Sequence, residues 1–162
     1  MSSNKEITHN DIDQAQKKWA NGLIAIGKAH VDGGDAKAIA EQMIRDLYGF
    51  QTGDGVVLFK PTKASHVPFR STFESALSYF VGGEGIITED QGFALQPWVK
   101  IEFQNNNILY HGSLALAMGH YIFHSLQGDE VKVEYTFGYI KDHDDHLKII
   151  LQHSSLPYSI DS

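Results

Sequence analysis

Trp98-Val99-Lys100-Ile101-Glu102-Phe103-Gln104 is where the chain changes character. Val99, Ile101 and Phe103 alternate with Lys100, Glu102 and Gln104, the period of two that a half-buried strand requires. Segments 108–124, 129–141 and 146–155 read as three further strands. Asn105-Asn106-Asn107, Gln127-Gly128-Asp129 and the run from Lys141 to Asp145 supply the turn chemistry between them. Upstream the period is helical. Ile12, Ala15, Trp19, Leu23, Ile26 and His30 follow a cap at Asn10 or Asp11, and Gly33-Gly34 ends that helix. Asp35 caps a second helix with Ile39, Ala40, Met43 and Leu47 on its stripe; a third carries Phe73, Ala76, Leu77 and Phe80. Between these two, Val56-Val57-Leu58-Phe59 reads as a short strand stopped by Pro61. Beyond the third helix, Ile86-Ile87 reads as another.

Helices first and long strands afterwards predict an α+β fold, with N-terminal helices packed on a strongly curved, mostly antiparallel sheet. A pocket between the concave face and the helices is the expected small-molecule site. The boundaries expected are a disordered tail over 1–9 and a single catalytic α+β domain over 10–160.

Composition removes several function classes. With 162 residues, 42% of them apolar, the chain has enough for one real core, and its net charge of −7 gives no basic footprint for nucleic acid or an anionic membrane. The absence of cysteine excludes thiol nucleophiles and thiolate metal sites. Without an apolar leader or a membrane-length run, the expected compartment is the cytoplasm.

In Leu147-Lys148-Ile149-Ile150-Leu151-Gln152-His153-Ser154-Ser155, strict alternation puts Leu147, Ile149, Leu151, His153 and Ser155 on one face and Gln152 and Ser154 on the other. An apolar face with a polar tip describes a pocket wall, although a satisfied core histidine would give the same pattern. Thr62 follows the short strand, as a turn hydroxyl or a pocket group. Tyr79 flanks the apolar face of the third helix, as a boundary ring or a pocket hydroxyl. Asp142, His143, Asp144, Asp145 and His146 form a solvated turn. His120 and His124 stand about 13 Å apart on a strand, too far to share an ion.

Phe59-Lys60-Pro61-Thr62-Lys63-Ala64, Phe69-Arg70-Ser71-Thr72, Tyr79-Phe80, Gly92-Phe93-Ala94, Pro97-Trp98, Glu134-Tyr135-Thr136-Phe137-Gly138-Tyr139 and His153-Ser154-Ser155-Leu156-Pro157, in this order, resemble the iota-class carbonic anhydrases over roughly residues 11–158. The resemblance implies the cone-like α+β barrel of the calcium/calmodulin-dependent kinase II association domain, in the nuclear transport factor 2-like superfamily. It implies reversible hydration of carbon dioxide to bicarbonate and a proton. The residues it matches are Thr62, Tyr79, His153 and Ser155 as catalytic groups, with Ser154 added for substrate binding; Phe80 replaces Tyr79 if the register slips by one. Many members carry histidine at the position of Gln152. The family includes metal-dependent and metal-free members, so zinc or manganese stays open. No cysteine and one pocket histidine favour the metal-free route, with His153 as a general base near its ordinary pKa of about 6.5.

Two rival readings use the same fold. One is a non-enzymatic oligomerisation module. The other is a different small-molecule enzyme, with Glu134 or Glu102 as an acidic base if the strand faces are reversed. Tyr135, Phe137 and Tyr139, read as an outer aromatic face, predict a homodimer packed through the sheet.

Overall fold

The computed structural model describes residues 6–83 and 87–160. Three helices, α1 (His9–Val31), α2 (Ala36–Leu47) and α3 (Phe73–Val81), pack on a sheet of β1 (Leu58–Lys60), β2 (Trp98–His111), β3 (Leu114–Ser125), β4 (Glu130–Lys141) and β5 (Leu147–Ser155). The strand order is β1-β5-β4-β3-β2, with β1 parallel to β5 and every other pair antiparallel. The architecture is α+β, as expected. The sheet curls but stays open, with β1 and β2 as its edges.

Helix boundaries follow side-chain chemistry. Thr8 caps α1 in a reciprocal box with Asp11, two residues ahead of the expected cap. Ile7 is buried, so the chain is packed before residue 10, while residues 1–5 lie outside the described set. Asp35 caps α2 as expected, and Thr72 caps α3. Ile12, Trp19, Leu23 and Ile26 bury one stripe of α1 against the sheet. At Gly27 a Cβ would lie 2.7 Å from the Ala94 carbonyl oxygen, so only glycine lets α1 approach the segment before β2 this closely. Ile86 is outside the described residues, and Ile87 joins no strand.

Of the three register shifts in the sheet, at Trp98/Lys100, Asn105/Asn107 and Gly138/Tyr139, the last two bear on the reading from sequence. Asn105-Asn106-Asn107 makes a bulge inside β2 rather than a turn, and the hairpin turns at Gly112-Ser113 instead. Asparagine suits both geometries, so composition could not choose between them. Opposite the bulge, a Cβ on Gly119 would fall 2.1 Å from the Gln104 carbonyl oxygen; this glycine admits the kinked backbone. In β5, Gly138 pairs with Leu151 whereas Tyr139 pairs with Ile149, leaving Ile150 as the extra residue of a second bulge.

That bulge corrects the reading of β5. Side-chain parity reverses across it, so Ile149, Gln152 and Ser154 face inward, whereas His153 and Ser155 face outward. The aromatic face of β4 also reverses: Tyr135, Phe137 and Tyr139 are 2%, 1% and 1% exposed and belong to the core. Their rings meet Phe103, Tyr121 and Trp19, so the apolar interior rather than an outer interface claims them. The dimer reading therefore loses the residues on which it was first built.

Candidate active site

A small cavity lies between the concave face and the helices. Trp19, Phe59, Pro61, Thr62, Tyr79, Phe80, Phe93, Tyr121, Phe123, Gln152 and Ser154 line it. Its volume is about 10 Å³, room for about one water-sized molecule. Aromatic rings form most of the wall, while Thr62, Tyr79 and Ser154 bring hydroxyls from three distant segments. None of the eleven lining residues is acidic, basic or histidine.

Local structure explains each placement. β1 runs beside β5, with Lys60 opposite His153, which carries Thr62 past the end of the short strand toward the β5 tip. α3 presents Tyr79, whose oxygen accepts the Lys63 N–H at 3.1 Å and also hydrogen-bonds Thr62. Behind Tyr79, the wholly buried Arg70 guanidinium forms a two-pronged pair with Asp90, at 2.8 and 2.7 Å. Asp90 also accepts the Ser78 hydroxyl. Breaking a buried pair by removing one partner costs about 3–5 kcal/mol, so this cluster fixes α3 and the flanking loops strongly. Glu89 adds a clip, accepting the Ser65 and Val67 N–H groups at 2.9 and 2.7 Å.

A second polar set supports the β5 side. The Trp19 indole N–H donates to the Tyr48 oxygen at 2.9 Å, and Tyr48 donates to Gln152 Oε1. Gln152 Nε2 donates to the Tyr121 oxygen at 3.2 Å, and Tyr121 meets Ser154 Oγ. Burial pushes the Tyr48 and Tyr79 phenols well up, and that of Tyr121 up to about 12. All three keep their protons at neutral pH.

Of the expected site residues, the structure brings Thr62, Tyr79 and Ser154 together and leaves His153 and Ser155 outside. Those two line a separate groove of about 320 Å³ on the convex face, with Met118, His120 and Glu134. Gln152, Tyr121, Tyr48 and Trp19 escaped the sequence reading. Only Trp19 carried a usable signal, as a large polar-tipped residue on the buried stripe of α1. Phe80 lines the cavity but brings no polar atom. Glu134 is exposed and Glu102 is bonded to His124 at 2.8 Å, so neither places a carboxylate in the cavity. Hydroxyls and one amide are poor zinc ligands beside imidazole, thiolate or carboxylate. Asp142, Asp144 and His146 cluster at the far β4–β5 turn, where Asp142 accepts backbone N–H groups of that turn.

A second, larger space adjoins the cavity. About 500 Å³ in volume, it is lined by His30, Lys63 and Gln96 among others, and shares Tyr79 and Phe93 with the cavity. Those two rings stack at 5.4 Å and form the wall between the spaces.

The chain itself matches a known family. The model of the metal-independent carbonic anhydrases matches residues 10–156. The chain belongs to that family.

A metal-independent carbonic anhydrase from Nostoc sp. (strain PCC 7120 / SAG 25.82 / UTEX 2576) is 44% identical over 158 residues, covering 96% of this chain and 76% of the relative. The crystal structure of a cyanobacterial iota-carbonic anhydrase complexed with bicarbonate superposes with a TM-score of 0.92 at 42% identity, covering 98% of both chains. A protein from Xanthomonas campestris described as a calcium/calmodulin-dependent protein kinase II association domain gives 0.65 at 21% identity, covering 99% of this chain and 95% of that one. At that identity the likeness shows the fold. The protein is thus a carbonic anhydrase, and its family works without a metal cofactor.

Proposed function

We propose that carbon dioxide is hydrated where Thr62, Tyr79 and Ser154 converge, by neutral hydroxyls rather than by a titrating base. The observation that carries this reading is the lining itself: the hydroxyls of Thr62, Tyr79, Tyr121 and Ser154 among aromatic rings, with no ionisable group other than phenols held protonated by burial. His153, on the opposite face of the sheet, has no route to a water in this cavity except through the sheet.

The small cavity has room for the water alone, so carbon dioxide, itself apolar, meets it past the Tyr79 and Phe93 rings from the adjoining 500 Å³ space. A water held by the hydroxyls attacks the carbon. As the new C–O bond forms, one C=O electron pair moves onto oxygen. A hydroxyl accepts a proton from the attacking water and passes its own to that oxygen, giving carbonic acid. Carbonic acid then releases a proton to water on the side of the larger space, leaving bicarbonate. Atoms balance as carbon dioxide plus water giving bicarbonate plus a proton. Hydroxyls aimed at the oxygens stabilise charge as it develops there.

Stopped-flow hydration by the purified, chelated and metal-assayed protein tests the site. Thr62→Ala and Tyr79→Phe should each lower kcat/KM by about tenfold or more with the fold intact. Unchanged rates, or loss on chelation that zinc or manganese restores, would sink this reading.

The single catalytic domain expected over 10–160, extended at its start by the packed Ile7 and the Thr8 cap, is proposed to work in the cytoplasm as a homodimer. Among the described residues no helix is long and apolar enough to cross a membrane. Support for the dimer now comes from the convex face, where Leu109, Leu116 and Met118 are 58%, 37% and 58% exposed. The association-module and acidic-enzyme alternatives lack comparable support, since the cavity is polar at one end and holds no carboxylate.

A further inference from the structure

We propose that Gln152 is a positioning residue: through a buried chain of hydrogen bonds with one enforced direction, it turns the Ser154 hydroxyl into a donor aimed at substrate. The inference rests on the placement of the reaction at Ser154. Direction follows from donor and acceptor inventory. An indole N–H can only donate, so the Tyr48 oxygen accepts from Trp19. The single Tyr48 proton then needs an acceptor, and the group within reach is Gln152 Oε1. Flipping the amide would set its NH₂ against Tyr48 and strand that phenolic proton in a buried place. The unflipped amide therefore presents Nε2 to the Tyr121 oxygen, at 3.2 Å. Having accepted there, Tyr121 donates its own proton to Ser154 Oγ. Ser154 receives on one side, which frees its hydrogen for an oxygen in the cavity.

Packing holds the relay in register. Trp19 stacks on Tyr121 at 5.3 Å, and Tyr121 meets Phe123 at 4.7 Å. Tyr48, Tyr121, Gln152 and Ser154 are each 2% exposed or less, so bulk water does not reorient them. Burial also keeps the Tyr121 proton in place for donation.

Gln152→Glu tests the direction with almost no change of shape. A carboxylate only accepts. Tyr121 would have to donate toward it and then accept from Ser154, which turns the serine proton away from substrate. Burial raises a carboxyl pKa, so the variant should titrate within the measurable range. Once protonated, its carboxyl can donate to Tyr121 and restore the original sense. The expected result is kcat/KM within about threefold of wild type at pH 6 and lower by about tenfold or more at pH 8.5. In the Ser154→Ala background the same change should add no further loss.

A ratio to wild type that is constant across pH, or losses that multiply in the double variant, would overturn the relay while leaving the site intact. Unchanged activity in Ser154→Ala alone would instead overturn the site, and the relay with it. Should Gln152→Glu fail to fold, Tyr48→Phe serves. Removing that oxygen lets the amide take either orientation, so kcat should fall by about threefold or more; an unchanged kcat would refute the enforced direction.

Discussion

Successive residues at the end of β5 report two environments. Gln152 and Ser154 enter an aromatic interior whose lining side chains are all neutral. One step along the strand, His153 and Ser155 enter an open groove beside His120 and Glu134. The histidine of the terminal motif thus lies on the face without the cavity. A metal-free carbonic anhydrase with a histidine in its terminal motif invites a general-base mechanism. Separation of the two faces argues instead for chemistry in which hydroxyls exchange protons and none is held as charge.

The sharpest way to break that contrast is to delete the two neighbouring serine hydroxyls separately. Ser154→Ala should lower kcat/KM about a hundredfold, the scale of losing one transition-state donor. Ser155→Ala should stay within about twofold, because its hydroxyl lies across the sheet. Stopped-flow hydration reads both. Equal losses would mean that the faces communicate or that the parity is reversed.

The pH profile comes next. With no near-neutral group in the cavity lining, kcat/KM for hydration should vary by less than about threefold from pH 6 to pH 9. His153→Ala should leave both the level and the flatness of that profile unchanged. A bell or a sigmoid that disappears in His153→Ala would restore the histidine as a base.

The convex face can be challenged without touching chemistry. Leu116→Lys or Met118→Lys should shift sedimentation from dimer to monomer while hydration changes by less than about twofold. Loss of activity on monomerisation would show that the cavity depends on the partner. A wild-type monomer would remove the dimer.

How much could be read beforehand depends on local pattern against long-range register. The buried stripe of α1, the Asp35 cap and the β character after Trp98 were legible, because each is set by residues within a few positions; the stripe of α2 was read with Ile39, which is exposed, and without the fully buried Ile44. Thr62 and Tyr79 were reachable through their resemblance in order and spacing to a family. The inward face of β5 was not. Its parity depends on a bulge at Ile150 against Gly138, and no local residue type announces that irregularity. Nor does alternation say which face of β4 is inner, because Tyr135, Phe137 and Tyr139 suit either. The buried relay was hidden for the same reason. Trp19, Tyr48, Tyr121 and Gln152 come from α1, the residue after α2, β3 and β5, and acquire meaning only when folded together.

The smallest expected effect concerns what holds the loop on the Thr62 side of the cavity in place. Glu89 accepts the Ser65 and Val67 N–H groups, and these bonds pull its carboxyl down to about 2 from an ordinary value of 4.5. A group whose folded-state pKa is depressed stabilises the fold fully above its unfolded value and loses that contribution as pH falls through the folded one. The clip should therefore be intact above about pH 5, weaken from pH 4.5 downward and be gone below about pH 2. Glu89→Gln keeps the shape but removes the charge. Its deficit in thermal stability relative to wild type should be a degree or two at pH 7 and shrink toward zero in that acid window. Amide exchange at Ser65 and Val67 should quicken in parallel, while exchange along β5 stays slow. A deficit that persisted unchanged to pH 2 would assign Glu89 to packing rather than to a charged clip. It would also leave Arg70 and Asp90 as the pair that carries the loop.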